Sequence, residues 1–185
     1  MTASALPPHP PMFGLKGQPI PLTPEFAHPI AGIVVEWSRV ELAIENDLDA
    51  LRLHPVAAKL ASIVPRAFGK RLELWRRSVR ALAPTIEAYQ LAAGAIEKEA
   101  NRIRMIRNLL VHGLWNPDGP LDGAWQVESW QRDGATVRIR RLRLSAPELE
   151  GLLADIMALA DGIVAFMISR AFHAREGLVQ LSRGP

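Results

Sequence analysis

An arginine and a histidine near the middle of the chain are the residues best suited to chemistry. They open and close the segment RNLLVH, which runs from Arg107 through Asn108 to His112. Histidine titrates near neutral pH, so it can take a proton from a nucleophile or give one to a leaving group. Arginine stays charged and stabilises negative charge on phosphate oxygens. The segment therefore predicts acid–base chemistry on a phosphodiester without a bound metal.

Helical spacing predicts how this segment is presented. At about 100° per residue, one broad apolar arc carries Ala100, Ile103, Ile106, Leu110 and Leu114. Arg107 projects into the edge of that arc, whereas Arg104, Asn108 and His112 share the adjoining polar flank. A guanidinium at an apolar margin costs free energy unless a carboxylate or a phosphate meets it. We therefore expect Arg107 to have an anionic partner.

The segment resembles the motif of HEPN domains, in which an arginine and a histidine are separated by four to six residues. Here four residues separate them, and a polar residue follows the arginine. The motif also ends a long predicted helix, follows a charged amphipathic stretch and precedes Gly113 and Trp115. In helix order the resemblance covers roughly residues 30–175. It implies a helical bundle, and many HEPN proteins are dimeric, metal-independent endoribonucleases.

The resemblance implies that Arg107, Asn108 and His112 are the catalytic residues. In HEPN endoribonucleases the arginines and histidines of two subunits face each other across the dimer cleft. The RNA 2′-hydroxyl would lose a proton as it attacks the neighbouring phosphorus, which gives a 2′,3′-cyclic phosphate and a 5′-hydroxyl. One chain supplies one motif histidine, so acid and base roles together predict a homodimer.

The resemblance also implies a setting, a toxin–antitoxin or phage-defence system, with an antitoxin protein as a further partner. Some HEPN toxins carry a tyrosine two residues after the histidine, where this chain has Leu114. The leading hypothesis is an endoribonuclease. The alternative is a non-catalytic HEPN-like module that binds RNA or a nucleotide or forms a dimer interface, and a purely structural bundle is a third reading.

Two further residues are expected to support the motif. Glu41 flanks the apolar stripe of the first helix and can pair with Arg107 if these helices pack together. Such a pair can simply fix the register of two helices, or it can orient a functional arginine, and both readings stay open. Arg104 adds a second cation on the polar flank of the motif helix.

A predicted hairpin carries the second basic cluster, Arg138, Arg140, Arg141 and Arg143. Basic side chains that alternate with aromatic ones suit single-stranded nucleic acid, through phosphate contacts and stacking. We therefore predict RNA binding by these arginines, beside Trp125 and Trp130. In the alternative reading the arginines pair with Glu128 or solvent. For Trp125 we favour a ring that covers the bundle.

Local signals outline the elements that carry these residues. Helices are predicted from about Pro24 to His54, at 56–64, at 70–82 and at 85–112. A hairpin of about residues 124–144 turns at Asp133-Gly134, with a bulge near Arg140-Arg141, and a Ser145–Glu148 capping box starts a helix to about Arg175. These elements predict a mainly α fold, a HEPN-like bundle of four to five helices with one inserted β-hairpin. The domain would span residues 25–185, after a Pro-rich flexible arm of residues 1–24.

Composition narrows the classes further. The chain has 185 residues, a formal net charge of +3 and no cysteine, which excludes disulfides, thiolate metal sites and a cysteine nucleophile. No metal-binding or nucleotide-binding motif is present, so we expect no cofactor and no metal. Residues 1–13 lack Lys, Arg and an apolar run, which predicts a cytoplasmic protein rather than a secreted one. Asp155 and Asp161 interrupt the apolar stretch Gly151–Phe172, which we interpret as a core helix rather than a membrane span.

Overall fold

The computed structural model of the protein describes residues 22–60, 63–84, 86–116, 123–133 and 136–182. In chain order these residues form α1 (Pro24–Arg52), α2 (Pro55–Leu60), α3 (Phe68–Leu82), α4 (Glu87–His112), β1 (Leu114–Trp115), β2 (Ala124–Asp133), β3 (Thr136–Ser145) and α5 (Ala146–Ser182). The predicted mainly α fold with an inserted hairpin is confirmed. The Pro-rich arm predicted at residues 1–24 lies almost wholly outside the described residues, and α1 begins where that arm was predicted to end.

Helix α1 begins at Pro24, directly after Thr23. The carbonyl oxygen of Thr23 accepts hydrogen bonds from the backbone N–H groups of Phe26 at 3.0 Å and Ala27 at 2.9 Å. Pro29 lies inside the helix, close to its start, so it removes only one backbone bond.

The capping box at the start of α5 is confirmed. The backbone N–H of Ser145 donates to Oε2 of Glu148 at 2.7 Å, and Oγ of Ser145 donates to the same oxygen at 2.8 Å. These bonds stabilise the carboxylate and lower the pKa of Glu148 from its ordinary value of 4.5. The stabilisation is thus present above that value and is lost as the pH falls through the folded pKa. The helix itself runs to Ser182, beyond the predicted end at Arg175.

The three strands form an antiparallel sheet in the order β1-β2-β3. Strands β2 and β3 pair without interruption, from Ala124 opposite Ser145 to Asp133 opposite Thr136. The bulge predicted near Arg140-Arg141 is therefore wrong, because no residue is left unpaired there. The short strand β1 was not predicted, since two residues are too few to show an alternation.

The chain divides into two compact units, and α1, α4 and α5 each contribute residues to both. The hairpin unit comprises residues 22–34 and 103–154, and the helical unit comprises 35–102 and 155–182. In the hairpin unit, the ring of Trp125 packs edge-on against Phe26 and Trp115, with centroids 6.3 and 5.8 Å away. Trp125 is 2% exposed, as the bundle-covering interpretation predicted.

The helical unit has its own core, and the charged residue Asp47 is buried in it. The ring of Phe166 packs edge-on against Trp75 and Tyr89, with both centroid distances at 5.6 Å. Asp47 is 1% exposed; it accepts a hydrogen bond from Nε1 of Trp75 at 2.8 Å and another from Nη2 of Arg170. Burial raises the pKa of the Asp47 carboxyl, because a charge is costly away from water, whereas Arg170 acts in the opposite direction.

Helix α5 is unusually apolar. By length and composition alone, Ala146–His173 could cross a membrane, and a third of its most apolar window is buried. Its inward stripe consists of Leu149, Leu152, Ile156, Leu159, Ile163 and Phe166. A stripe at this spacing is the pattern of a helix that packs one face into a core. It agrees with the core-helix interpretation of this segment.

Candidate active site at the end of helix α4

A cavity of about 450 Å³ lies within the hairpin unit, between the end of α4 and the sheet. Its lining residues come from both elements: Arg104, Met105, Asn108, Leu109 and His112 from α4, Ser129 from β2 and Arg140 from β3. Two cations, an imidazole and an amide thus face one space. This is the donor set expected around an anionic ligand such as a phosphate.

The spacing of the α4 residues explains their convergence. Arg104, Asn108 and His112 recur every four residues, so they lie one above another on the same helix face. All three line the cavity, as the predicted polar flank requires. His112 is in the last turn of α4 and is exposed, so its imidazole is accessible to a ligand from solvent.

Arg107 is placed differently from the other motif residues. Arg107 is not among the described residues that line the cavity. It is half-buried, and its Nη1 donates to Oδ1 of Asn108 at 3.1 Å. That bond occupies the amide oxygen and leaves the Nδ2 hydrogens of Asn108 as the donors of this side chain. This hydrogen bond therefore connects Arg107 to a residue that lines the cavity.

Two of the arginines of α4, Arg104 and Arg107, retain unused hydrogen-bonding capacity. Among the residues that the structure describes, Nε of Arg104 and Nε of Arg107 are buried and have no hydrogen-bond partner. A buried donor without a partner costs free energy, and the cost is greater when the group is charged. An anion bound beside Arg104 would lower this cost, because Arg104 lines the cavity.

The four hairpin arginines are divided between the two faces of the sheet. Residues directly opposite each other and residues two apart share a face. Arg140 pairs with Ser129 and shares its face with Arg138, whereas Arg141 pairs with Glu128 and shares the other face with Arg143. Since Ser129 and Arg140 both line the cavity, we call their side the inner face and the opposite side the outer face.

The alternation of apolar and basic residues along β3 changes between Arg140 and Leu142, and the strand pairing explains why. Leu142 and Leu144 lie on the inner face opposite the buried Val127 and Trp125, where the sheet covers the core. Further along the same face, Arg140 borders the cavity, and its Nη1 approaches Sδ of Met105 at 3.9 Å. The surroundings of the face change from apolar to polar, so the residue types change without a bulge.

The outer face has a different ion pair. Nε of Arg141 donates to Oε1 of Glu128 at 2.7 Å, as the structural alternative for the arginine cluster anticipated. This bond is the main cause of the lowered pKa of Glu128. Arg141 therefore does not border the cavity, and of the four predicted RNA-binding arginines only Arg140 is a lining residue among those described.

Contacts at the end of α4 fix the position of His112. Nε1 of Trp115 donates to the carbonyl oxygen of Leu110 at 3.1 Å. The backbone N–H of Gly113 donates to the carbonyl oxygen of Leu109 at 2.7 Å. A Cβ added to Gly113 would collide first with the carbonyl oxygen of Leu109 and would lie 3.0 Å from both the carbonyl oxygen of Glu128 and Cγ1 of Val127. Glycine is therefore required here by the close approach of the last turn of α4, and it also packs tightly against β2. The only positive φ among the described glycines is that of Gly123.

Glu41 was predicted to pair with Arg107, and the contacts that the structure shows for Glu41 are with other residues. Glu41 accepts a hydrogen bond from Nε1 of Trp37 at 2.8 Å, and its Oε2 lies 4.0 Å from Nη2 of Arg71. These partners belong to the helical unit, and a pairing of Glu41 with Arg107 stays a prediction. The sequence contained a signal for the observed arrangement, because Trp37 and Glu41 are four residues apart on one helix.

Three lining residues were not predicted: Met105, Leu109 and Ser129. Met105 and Leu109 carry no chemical signal, and Ser129 could be found only from the exact pairing of β2 with β3. Comparisons of the chain with protein-family models, with curated proteins and with solved structures found no match. The HEPN relationship remains a prediction that rests on the RNLLVH segment.

Proposed function

We propose that this chain is a metal-independent endoribonuclease of the HEPN type, with its active site in the cavity at the end of α4. One observation carries the proposal: His112, Asn108, Arg104 and Arg140, from a helix and a strand, line the same cavity. A proton-transfer group beside two cations is what cleavage of a phosphodiester requires.

The reaction would use each residue in a defined role. The imidazole of His112 takes the proton of a ribose 2′-hydroxyl, whose oxygen then attacks the adjacent phosphorus. The bond from phosphorus to the 5′-oxygen breaks, and that oxygen gains a proton. Arg104 and Arg140 stabilise the charge on the non-bridging oxygens, and Asn108 donates a hydrogen bond from Nδ2 while Arg107 fixes its orientation.

This scheme needs both an acid and a base, whereas each chain supplies one motif histidine. We therefore include in the proposal a homodimer in which His112 of a second copy completes the site. A cytoplasmic protein of a toxin–antitoxin or phage-defence system, with an antitoxin as partner, is the setting that the resemblance implies.

A second candidate function is a non-catalytic module that binds RNA or a nucleotide. The position of Arg107 favours it, since among the described residues this arginine does not border the cavity. Arg104, Arg140 and Asn108 would then bind a phosphate, and His112 would add a further hydrogen bond. The two functions differ in one measurable property, the cleavage of the bound RNA.

We expect the purified protein to cleave a mixed RNA pool in the presence of EDTA, because the proposed roles need only side chains. The products should carry 2′,3′-cyclic phosphate and 5′-hydroxyl ends, identified by their response to kinase and phosphatase treatment. A pool in which every ribose is 2′-O-methylated serves as the control and should remain intact. Loss of cleavage on chelation, or 5′-phosphate ends, would contradict the mechanism, and binding without cleavage would favour the module.

Replacing Arg140 with glutamine should weaken binding of a 2′-O-methyl RNA and make its salt dependence less steep by about one counterion, if this arginine contacts one phosphate. Affinity measured across a series of salt concentrations gives both quantities. The matched control is Arg52→Gln, which removes the same charge from an exposed arginine paired with Asp49 in the helical unit. Equal effects of the two substitutions would mean that Arg140 contributes only net charge.

A further inference from the structure

Trp130 is the exception among the tryptophans. All five tryptophans of the chain lie in the described residues; four of them are at most 2% exposed, whereas Trp130 is 51% exposed. It belongs to the outer face of the sheet, directly opposite Ile139, which is 45% exposed. These two side chains form an exposed apolar patch, and such a patch rimmed by polar residues is typical of an interaction site.

The ring of Trp130 is held in a defined orientation. Its Nε1 donates to Oε2 of Glu128 at 3.2 Å, and the other carboxylate oxygen accepts bonds from Nε of Arg141 at 2.7 Å and from Nε2 of Gln126 at 3.0 Å. Glu128 is thus fixed from two sides and in turn fixes the indole edge. A ring that is already ordered loses little entropy when a planar group stacks on it.

Two arginines share the outer face with this ring. The side chain of Arg141 is 65% exposed and binds Glu128 through Nε, while a guanidinium carries four further N–H donors on its Nη atoms. Arg143 shares the same face. An exposed aromatic ring beside arginines fits a base together with its phosphate, and the positive charge favours a nucleic acid over an acyl or aliphatic ligand.

The position of β3 connects this surface to the cavity. Strand β3 is at one edge of the sheet, with Arg138 and Arg140 on its inner face and Arg141 and Arg143 on its outer face. A strand of RNA that crosses this edge can contact Arg140 in the cavity and Trp130 beyond it. Only an unpaired base presents a free face for such stacking, so the ligand must be single-stranded there.

We propose that the outer face of the hairpin is a second subsite for single-stranded RNA, in which one base stacks on Trp130 and the adjoining phosphate contacts Arg141. The identity of the ligand rests on the proposed function, whereas the subsite itself rests on the outer face. It makes the substrate a single strand that extends beyond the cleaved bond.

Tryptophan fluorescence can be used to test this subsite. A single-stranded 2′-O-methyl RNA, which cannot be cleaved, should quench the tryptophan fluorescence of the protein, because a stacked base contacts Trp130 and the other four indoles are buried. The variant Trp130→Phe should lose the quenching and keep most of the affinity, measured by anisotropy of the labelled RNA. Trp130→Ala should bind about tenfold more weakly, as expected for the loss of one stacked base.

The outcomes separate this subsite from the proposed function. Cleavage of RNA by a protein whose fluorescence RNA does not quench would overturn the subsite and leave the enzyme intact. Quenching without cleavage would support the subsite and contradict the enzyme. Equal quenching by a duplex RNA would overturn stacking on an unpaired base. Equal quenching by single-stranded DNA would support stacking and overturn its restriction to RNA.

Discussion

The variant His112→Ala is expected to cleave RNA about 10²–10⁴-fold more slowly than the wild type in a single turnover, because it lacks the proposed proton-transfer group. Single-turnover conditions exclude product release from the measured rate. RNA affinity should change much less, since Arg104, Arg140 and Asn108 still line the cavity. The combination of lost cleavage and retained binding would identify His112 as a catalytic residue.

The control for this prediction is His54→Ala. His54 is also an exposed histidine; it lies just past the end of α1 and belongs to the helical unit. Both substitutions should change the free energy of unfolding by no more than about 0.5 kcal/mol, because both side chains are exposed. An unchanged rate for His112→Ala would contradict the mechanism, and an equal loss for His54→Ala would point to a general effect on the protein.

The variant Asp47→Ala should show the largest loss of stability, about 3–5 kcal/mol, because it leaves the charge of Arg170 and the indole N–H of Trp75 without their shared acceptor. In a protein of this size each kcal/mol corresponds to about 2–4 °C, so Tm should fall by roughly 10 °C. Urea denaturation followed by circular dichroism measures the free energy, and calorimetry measures Tm.

A surface ion pair supplies the comparison. Asp161 lies 3.3 Å from Nη2 of Arg39, with 73% of its side chain exposed, so Asp161→Ala should cost no more than about 1 kcal/mol. Similar losses for Asp161→Ala and Asp47→Ala would mean that burial does not strengthen the Asp47 contacts. The contrast therefore tests whether the core of the helical unit depends on this carboxylate.

Local signals were sufficient to predict most of the fold. Ser145 and Glu148 interact within one helical turn, and their effect on the start of α5 is visible in the sequence. The uninterrupted pairing of β2 with β3 was harder to predict. The change of residue type after Arg140 suggests an inserted residue, whereas it reflects a change from core to cavity along one face.

The candidate site also contains some residues that local spacing predicts and others that only tertiary contacts bring in. The shared face of Arg104, Asn108 and His112 follows from their spacing of four residues, so the sequence was sufficient to predict it. The contribution of Arg140 depends on which side of the sheet faces α4, a tertiary contact that no local pattern contains. The pairing of Glu41 with Arg107 stays a prediction, and the approach of Arg71 from α3 to Glu41 is likewise a tertiary contact.

The close approach at Gly113 makes the site dependent on the sheet. No side chain separates the backbone of this residue from the Glu128 carbonyl and the Val127 methyl, and His112 is its immediate neighbour in the chain. In the proposed enzyme, a displacement of β2 would therefore shift the backbone next to His112. Cleavage would then depend on the packing of the hairpin as well as on the residues that line the cavity.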